Sequence, residues 1–401
     1  MAELYSLPDG WEWKKLGKIA KLQNGFAFKS KLFVNDGLPI VRIKNIKNEK
    51  VLLDDVVYFN VEYYGKKLDS YQIKKNDILI AMSGATTGKI GLYDTEEISY
   101  LNQRVGLFRI ENSNLRSYLF YFLSTQIEKN LELSLGAAQP NLSTEQINNI
   151  ELPFPPFEEQ KRIVAKLDIL FAKIDKAIAL HQKNIDEADI FMASVLNDVF
   201  VELNGVYQKR QLDSFDKKMS SGGTPSRKEK LYWDNGTIDW FSSGELNQLY
   251  TLPSKEKITQ LGLEKTSTKL FSKGTLLIGM YDTAAMKMSI LSNDGSCNQA
   301  IVGFKSDESE LNILFLKYQL EYLKKDILEQ RQGVRQQNLN LSKIKNIEIE
   351  YPPLKTQQKV VSYLDEISQK MEKIKQIQKE KMQSLKELKA SILDKAFKGE
   401  L

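Results

Sequence analysis

Residues 136–168 read GAAQPNLSTEQINNIELPFPPFEEQKRIVAKLD, and residues 333–365 read GVRQQNLNLSKIKNIEIEYPPLKTQQKVVSYLD. At a constant offset of 197 the pairs Gly136/Gly333, Gln139/Gln336, Asn141/Asn338, Ile150/Ile347, Pro155/Pro352, Pro156/Pro353, Gln160/Gln357 and Asp168/Asp365 coincide. A repeat of this kind sets the architecture before any motif is weighed. Fainter echoes lie upstream, where small insertions shift the offset: LPIVRIKNI (38–46) against IDWFSSGEL (238–246), NDILIAMSG (76–84) against GTLLIGMYD (274–282), and Asn102-Gln103 against Asn298-Gln299. Each half is one whole module with the same order of parts: a strand-rich region, an amphipathic helix (117–131; 311–331), a Pro-Pro turn and a long helix. A Pro-Pro pair cannot continue a helix and readily opens one, so Pro156 and Pro353 mark the starts of the long helices. The expected organisation is a first strand-rich domain at 1–155, a spacer helix at 156–203, a second strand-rich domain at 204–352 and a second spacer helix at 353–401.

From Val164 the apolar positions step by three and four through Leu167, Phe171, Ile174, Ile178, His181, Ile185, Ala188, Met192, Val195 and Val199. This is a coiled-coil seam. The C-terminal helix has a similar one at Val360, Leu364, Ile367, Met371, Ile374, Gln378, Lys381, Leu385, Leu388 and Ile392, and each stripe is the other's most obvious partner. Some 40 helical residues would span roughly 60 Å, the scale of a rigid spacer. His181, the only histidine, is matched by Gln378 and reads as a register-setting polar level of the seam. Related halves suggest a pseudo-twofold arrangement with antiparallel helices; the sequence leaves parallel packing open. The fold class is therefore α+β, with two pseudo-symmetric globular domains joined by two long antiparallel coiled-coil helices.

Length and composition bound the function. The chain has 401 residues, 42% hydrophobic and 27% charged, enough for two domains with their own cores. No apolar run approaches the roughly 20 residues of a membrane span, and MAELYSLPDGWEWKK lacks the basic start and apolar stretch of a secretory signal. A cytoplasmic protein is expected. The single cysteine, Cys297, cannot form an internal disulfide or a thiolate-rich zinc site and reads as a small hydrophobe near a strand end. A net charge of +5 leans mildly toward polyanions.

Enzymatic readings fail on detail. SGATTGKI (83–90) invites comparison with a phosphate-binding loop, but the spacing of Gly84 and Gly88 is one residue short, and Ile90 stands where Ser or Thr should hold magnesium. A loop approaching DNA phosphate through its backbone fits better. FPPF (154–157) is superficially like the pocket of amino-methyltransferases, yet Phe154 cannot bind an amine, so the stretch reads as the turn from domain to helix. One histidine rules out histidine-based metal motifs and leaves a nucleophile without an evident base. No acid pair with a nearby lysine stands out.

The duplicated Gly…Gln-x-Asn-Leu…Ile-x-x-Ile…Pro-Pro…Gln segment before each long helix resembles the specificity (S) subunit of Type I restriction-modification systems, over essentially the whole chain. SSGGTP (220–225), WFSSGEL (240–246) and NDILIAMSGATTGKIG (76–91) look like pieces of that family's target-recognition domains. The resemblance implies a protein with no chemistry and no cofactor of its own. Each recognition domain would read one part of a split double-stranded DNA target, and the helices would fix the gap. Two modification (M) subunits would dock on it and transfer methyl groups from S-adenosylmethionine to adenine N6; a restriction (R) subunit would add ATP- and magnesium-dependent translocation and cleavage. Two departures, QNGFAFKS (23–30) against SSGGTPS and Pro140 against the glutamine of the second copy, bear on base contacts and not on the role.

Reading DNA requires side chains that reach base edges, while affinity comes mainly from phosphate contacts. First-domain candidates are Gln23, Asn24, Arg42, Lys44, the loop Ser83 to Lys89 with Thr86 and Thr87, Asn102, Gln103, Arg104 and Gln139. Second-domain candidates are Ser221, Gly222, Gly223, Thr224, Ser242, Ser243, the loop Tyr281 to Lys287 with Asp282 and Thr283, Asn298, Gln299, Arg331, Arg335, Gln336 and Gln337. Arg pairs with guanine, and Asn or Gln with adenine, through two hydrogen bonds. Leu170, Leu196, Phe200, Ile377, Leu393 and Phe397 lie off the seams and are expected to dock M subunits or to pack on the chain's own domains.

Overall fold

The computed structural model describes residues 5–64, 66–134, 141–329 and 339–401. The chain divides into two compact units, Met1–His181 with Lys379–Leu401, and Gln182–Gln378. Each unit thus combines one strand-rich body with a stretch of both long helices.

The two bodies are built on one plan. In the first unit Ile78–Ala81 is the middle of a sheet ordered Leu22–Asn24, Val105–Phe108, Ile78–Ala81, Ile90–Leu92, Glu49–Val51, Ile46–Lys47. In the second unit Leu276–Gly279 holds the same place in the order Ser220–Ser221, Ile301–Phe304, Leu276–Gly279, Met288–Ile290. Both middle strands are unbroken apolar runs because both of their faces are covered: Ile78 and Ile80 enter one core while Leu79 and Ala81 enter another, as strand alternation requires. A second sheet in each unit holds a parallel pair, Leu38–Val41 with Ser99–Leu101 and Ile238–Phe241 with Gly295–Cys297. Cys297 is fully buried there, and burial pushes its thiol up to about 12. The first unit adds the hairpin Ile46–Lys47/Glu49–Val51 to its sheet edge.

The expected amphipathic helix of the first half begins at Ser113, capped by the Asn112 side chain, and breaks at Gln126 into Ser113–Thr125 and Ile127–Ser134. Its counterpart is a single helix, Ile313–Glu329. The long helices run Phe157–Leu203 and Leu354–Lys398, each starting one residue after its Pro-Pro pair.

Inside the first unit Arg162 donates to the Leu401 carbonyl (2.9 Å) and Lys389 lies 3.5 Å from Asp175. Inside the second, Asn184 donates to Gln378 (3.4 Å) and Lys375 to Asp189 (2.8 Å). In both, rising numbers on the first helix meet falling numbers on the second, so the paired stretches are antiparallel. Every position of the first helix's expected seam is buried or half-buried. The second helix departs from its seam: Ile374 and Leu388 are 38% and 48% exposed and Lys381 is exposed, while Lys375, Met382 and Lys389 turn inward. A lysine can lay its apolar stem in a seam and send its ammonium to a carboxylate at the rim. Of the residues expected off the seams, Leu196, Phe200, Leu393 and Phe397 are buried in their own unit's core, Leu170 packs against it, and Ile377 is 38% exposed. Docking on the four buried ones is thereby ruled out, because the recognition bodies already cover them.

Candidate nucleic-acid interface

Strand register gathers the distant candidate residues at one end of each body. In the first unit Asn24 pairs with Gly106, Ala81 with Val105 and Val41 with Leu101. The ends of Leu22–Asn24, Leu38–Val41 and Ile78–Ala81 therefore meet the start of Val105–Phe108. In the second unit Ser221 pairs with Val302, Gly279 with Ile301 and Phe241 with Cys297, which brings the corresponding ends together.

Backbone hydrogen bonds repeat the correspondence. Asn102 N–H donates to Val41 O (3.2 Å) and Asn298 N–H to Phe241 O (3.0 Å); Met82 N–H donates to Arg104 O (2.9 Å) and Met280 N–H to Ala300 O (2.9 Å). Leu142 N–H donates to Met82 O (2.7 Å) and Leu339 N–H to Met280 O (3.2 Å). The leucine of the repeated motif thus bolts down the loop that leaves the middle strand. Further along the motif, Gln160 and Gln357, both buried, donate to the carbonyls of Pro155 and Pro352 at 2.9 Å. Tyr121 donates to Asp168 and Tyr318 to Asp365, both at 2.5 Å. The repeat is a splice tying the candidate loops to the long helix.

On this shared frame the side chains differ. Asn102 and Asn298 use their side-chain oxygens on the backbone N–H of Arg104 (3.3 Å) and Ala300 (3.0 Å), which shapes the turn. Gln103, Arg104 and Gln299 stand exposed beside them, with Thr224 donating to Gln299. Gln23 donates to the Ser70 carbonyl, and Asn24 pairs with Thr144 at 2.9 Å. The Arg42 N–H is capped by Asn45 (3.0 Å) and its Nε is buried without a partner among the described residues. Ser242 occupies the corresponding turn, with both its N–H (2.9 Å) and hydroxyl (2.7 Å) on Glu245. Ser243 is half-buried beside it. Lys44 bonds Asp55 at 2.5 Å, holding that carboxyl below its ordinary range, and Lys89 is exposed.

Several candidates face inward. Thr87 is buried with its hydroxyl on Gly84 O (2.7 Å). Ser83 and Thr86 have buried hydroxyls with no partner among the described residues. A Cβ on Gly222 would lie 2.1 Å from Cys297 O, and one on Gly223 2.9 Å from the Ser267 backbone, so these glycines serve close packing. Ser221 sits in its strand, Tyr281 packs on the core, Thr283 is exposed, Asp282 lies in a one-turn helix, and Lys287 donates to Asn247 (3.2 Å). Gln139, Arg331, Arg335, Gln336 and Gln337 lie outside the described residues, as do Gly136, Pro140, Gly333 and Asn338.

Sequence reasoning missed Glu245, which also accepts from Lys255 N–H (2.9 Å), and Gly25, whose Cβ would lie 2.1 Å from Asn102 O. Gly25 and Gly222 fall at the repeat offset, so that signal was present; Glu245 had none, because its partner in the first unit is an asparagine. Among the described residues no group of three or more His, Cys, Asp or Glu could hold a metal ion, and no helix is long and apolar enough to cross a membrane.

Comparison with known proteins falls on the same two modules. The family described as "Type I restriction modification DNA specificity domain" matches at residues 8–187 and again at 205–381. The MjaVIII specificity subunit of Methanocaldococcus jannaschii is 30% identical over 203 residues, 49% of this chain and 47% of that protein. The EcoAI specificity subunit of Escherichia coli is also 30% identical, over 49% of this chain and 34% of its own length. The chain therefore spans about half of the one and a third of the other. The StySPI specificity subunit of Salmonella potsdam is 25% identical across 98% of this chain and 90% of its own. A solved chain described under "Structural basis underlying complex assembly and conformational transition of the type I R-M system" shares the fold, with a TM-score of 0.71, 22% identity and coverage of 99% of this chain and 100% of that one. Matched twice, once on each repeat, the chain belongs to the Type I restriction modification DNA specificity domain family.

Proposed function

We propose that this chain is the non-catalytic DNA-specificity subunit of a Type I restriction-modification complex, reading a bipartite duplex target with one loop cluster per unit. The observation that carries the reading is the duplicated constellation of strand ends: one backbone frame, held by equivalent hydrogen bonds, presents different side chains in the two units. A fixed frame with variable tips suits two readers of unlike base sequences, since base edges are read by side chains and phosphates by lysine, arginine and backbone amides. M subunits, expected as two copies carrying S-adenosylmethionine, dock on the complex and methylate adenine; an R subunit would bring ATP and magnesium. Exposed apolar residues of the first long helix, Ile169 and Leu180 in one unit and Ile190 and Phe191 in the other, are the surface offered to M.

Binding of the chain, co-purified with M subunits, to a DNA library tests the proposal. Enrichment of two specified blocks, with affinity falling steeply as salt rises, is expected because counterions are released from the phosphates. Indifference to sequence, or binding insensitive to salt, would overturn it in favour of a protein-binding scaffold.

A further inference from the structure

We infer that Asn130 is a positioning residue for residues 83–88 of the first unit, the part of the loop beyond its anchor at Met82, holding it in a seat that it leaves when DNA is read. The inference rests on the function proposed above. Asn130 lies on the helix Ile127–Ser134, is 0% exposed, and among the described residues has no partner for either its amide nitrogen or its amide oxygen. A buried amide in that state is unfavourable in the folded protein and calls for a physical reason.

The loop rests directly on it. Gly88 has φ +83°, and a Cβ there would come 2.8 Å from both the Asn130 Cβ and the Ile127 carbonyl. Only glycine lets the loop approach so closely. The same loop carries the hydroxyls of Ser83 and Thr86, unpartnered among the described residues, and a Cβ on Gly84 would touch Ile43 at 3.3 Å. Two residues of the loop and the asparagine beneath it therefore carry unsatisfied polar groups.

The second unit closes the same place with apolar side chains. At the offsets that align the two copies, Met286 stands for Gly88 and Ile327 for Asn130. Met286 is 2% exposed, and Ile327 packs against the same core cluster. The fold therefore accepts a sealed version, and the polar one in the first unit is a departure from it. Lifting the loop would return the Asn130 amide to water and free the Ser83 and Thr86 hydroxyls for phosphates or base edges of a duplex. A loop seated on unmatched polar groups is easier to lift than one seated on methylenes.

Asn130→Leu, compared with wild type and with Asn130→Ser in the complex with M subunits, provides the test. Preference for each block of the target is read from a randomised DNA library, and the thermal midpoint is recorded. For Asn130→Leu the expected result is a midpoint raised by about 2–4 °C, roughly tenfold weaker discrimination at one block, and the other block unchanged; Asn130→Ser should keep wild-type discrimination. A lowered midpoint for Asn130→Leu, or intact discrimination at both blocks, would overturn the inference. If wild type itself shows no preference, the proposed function fails first, and the two failures are distinguishable.

Discussion

Tyr318 and Tyr121 make the same hydrogen bond in two settings. Tyr318 is 4% exposed and bonds a half-buried Asp365, whereas Tyr121 is half-buried and Asp168 is exposed. A hydrogen bond to a charged group is worth more when water competes less. Tyr318→Phe should therefore cost about 2 kcal/mol in urea unfolding, and Tyr121→Phe no more than about 1 kcal/mol. The pH dependence follows. Burial, then the Asp365 carboxylate, holds the Tyr318 hydroxyl protonated above its ordinary range. A raised folded-state pKa contributes stability that is complete below the unfolded value of about 10 and is lost as pH rises beyond it. Stability should fall above that pH in wild type and fall less in Tyr318→Phe. Of this the sequence shows the aspartates, which coincide in the repeat; the tyrosines also fall at the repeat offset, but nothing in one dimension marks them as the aspartates' partners.

Helices and hairpins are where periodicity guided best and slipped by one residue. The second long helix was legible as a helix from its apolar stepping, yet its seam turns on Lys375 and Lys389 where Ile374 and Leu388 are the apolar choice. A step of three or four leaves neighbouring positions nearly degenerate, and lysine stems can serve as apolar surface. Leu364→Ala, at a fully buried position, should destabilise by about 2–5 kcal/mol, while Ile374→Ser should stay within about 0.5 kcal/mol. Equal losses would return Ile374 to the seam. The hairpin Ile46–Lys47/Glu49–Val51 turns on Asn48 and Glu49, with φ of 52° and 62°. Glycine is favoured at the second position of such a turn, and the Glu49–Lys389 pair at 3.6 Å is partly exposed and worth little. Glu49→Gly should raise stability by about 0.5–1 kcal/mol in thermal unfolding. No hairpin was foreseen there, because Asn-Glu is a poor signal for a two-residue turn.

Over the full length of the chain, the duplication was legible because one constant offset separates the paired residues: the Pro-Pro pairs before each helix, the glutamines that donate to a carbonyl of each pair, and the leucines that pin the root of each loop. Helix direction was not, since a seam has the same apolar pattern read from either end; it emerges only from pairs such as Asp175 with Lys389 and Asp189 with Lys375. Nor was the composition of each unit, which draws on both long helices. Candidate regions were legible as glycine-rich ends of apolar runs. Individual side chains were not, because Thr87 and Gly223 read the same in sequence whether they face in or out. On the proposed function, two like bodies read two unlike blocks of one duplex for a partner's active site. Sequencing the methylome of cells with and without this chain tests it most directly. Modified adenines are expected within two specified blocks separated by a gap of constant length, and should be lost when the chain is removed; a single continuous motif, or methylation that persists without the chain, would refute this reading of the molecule.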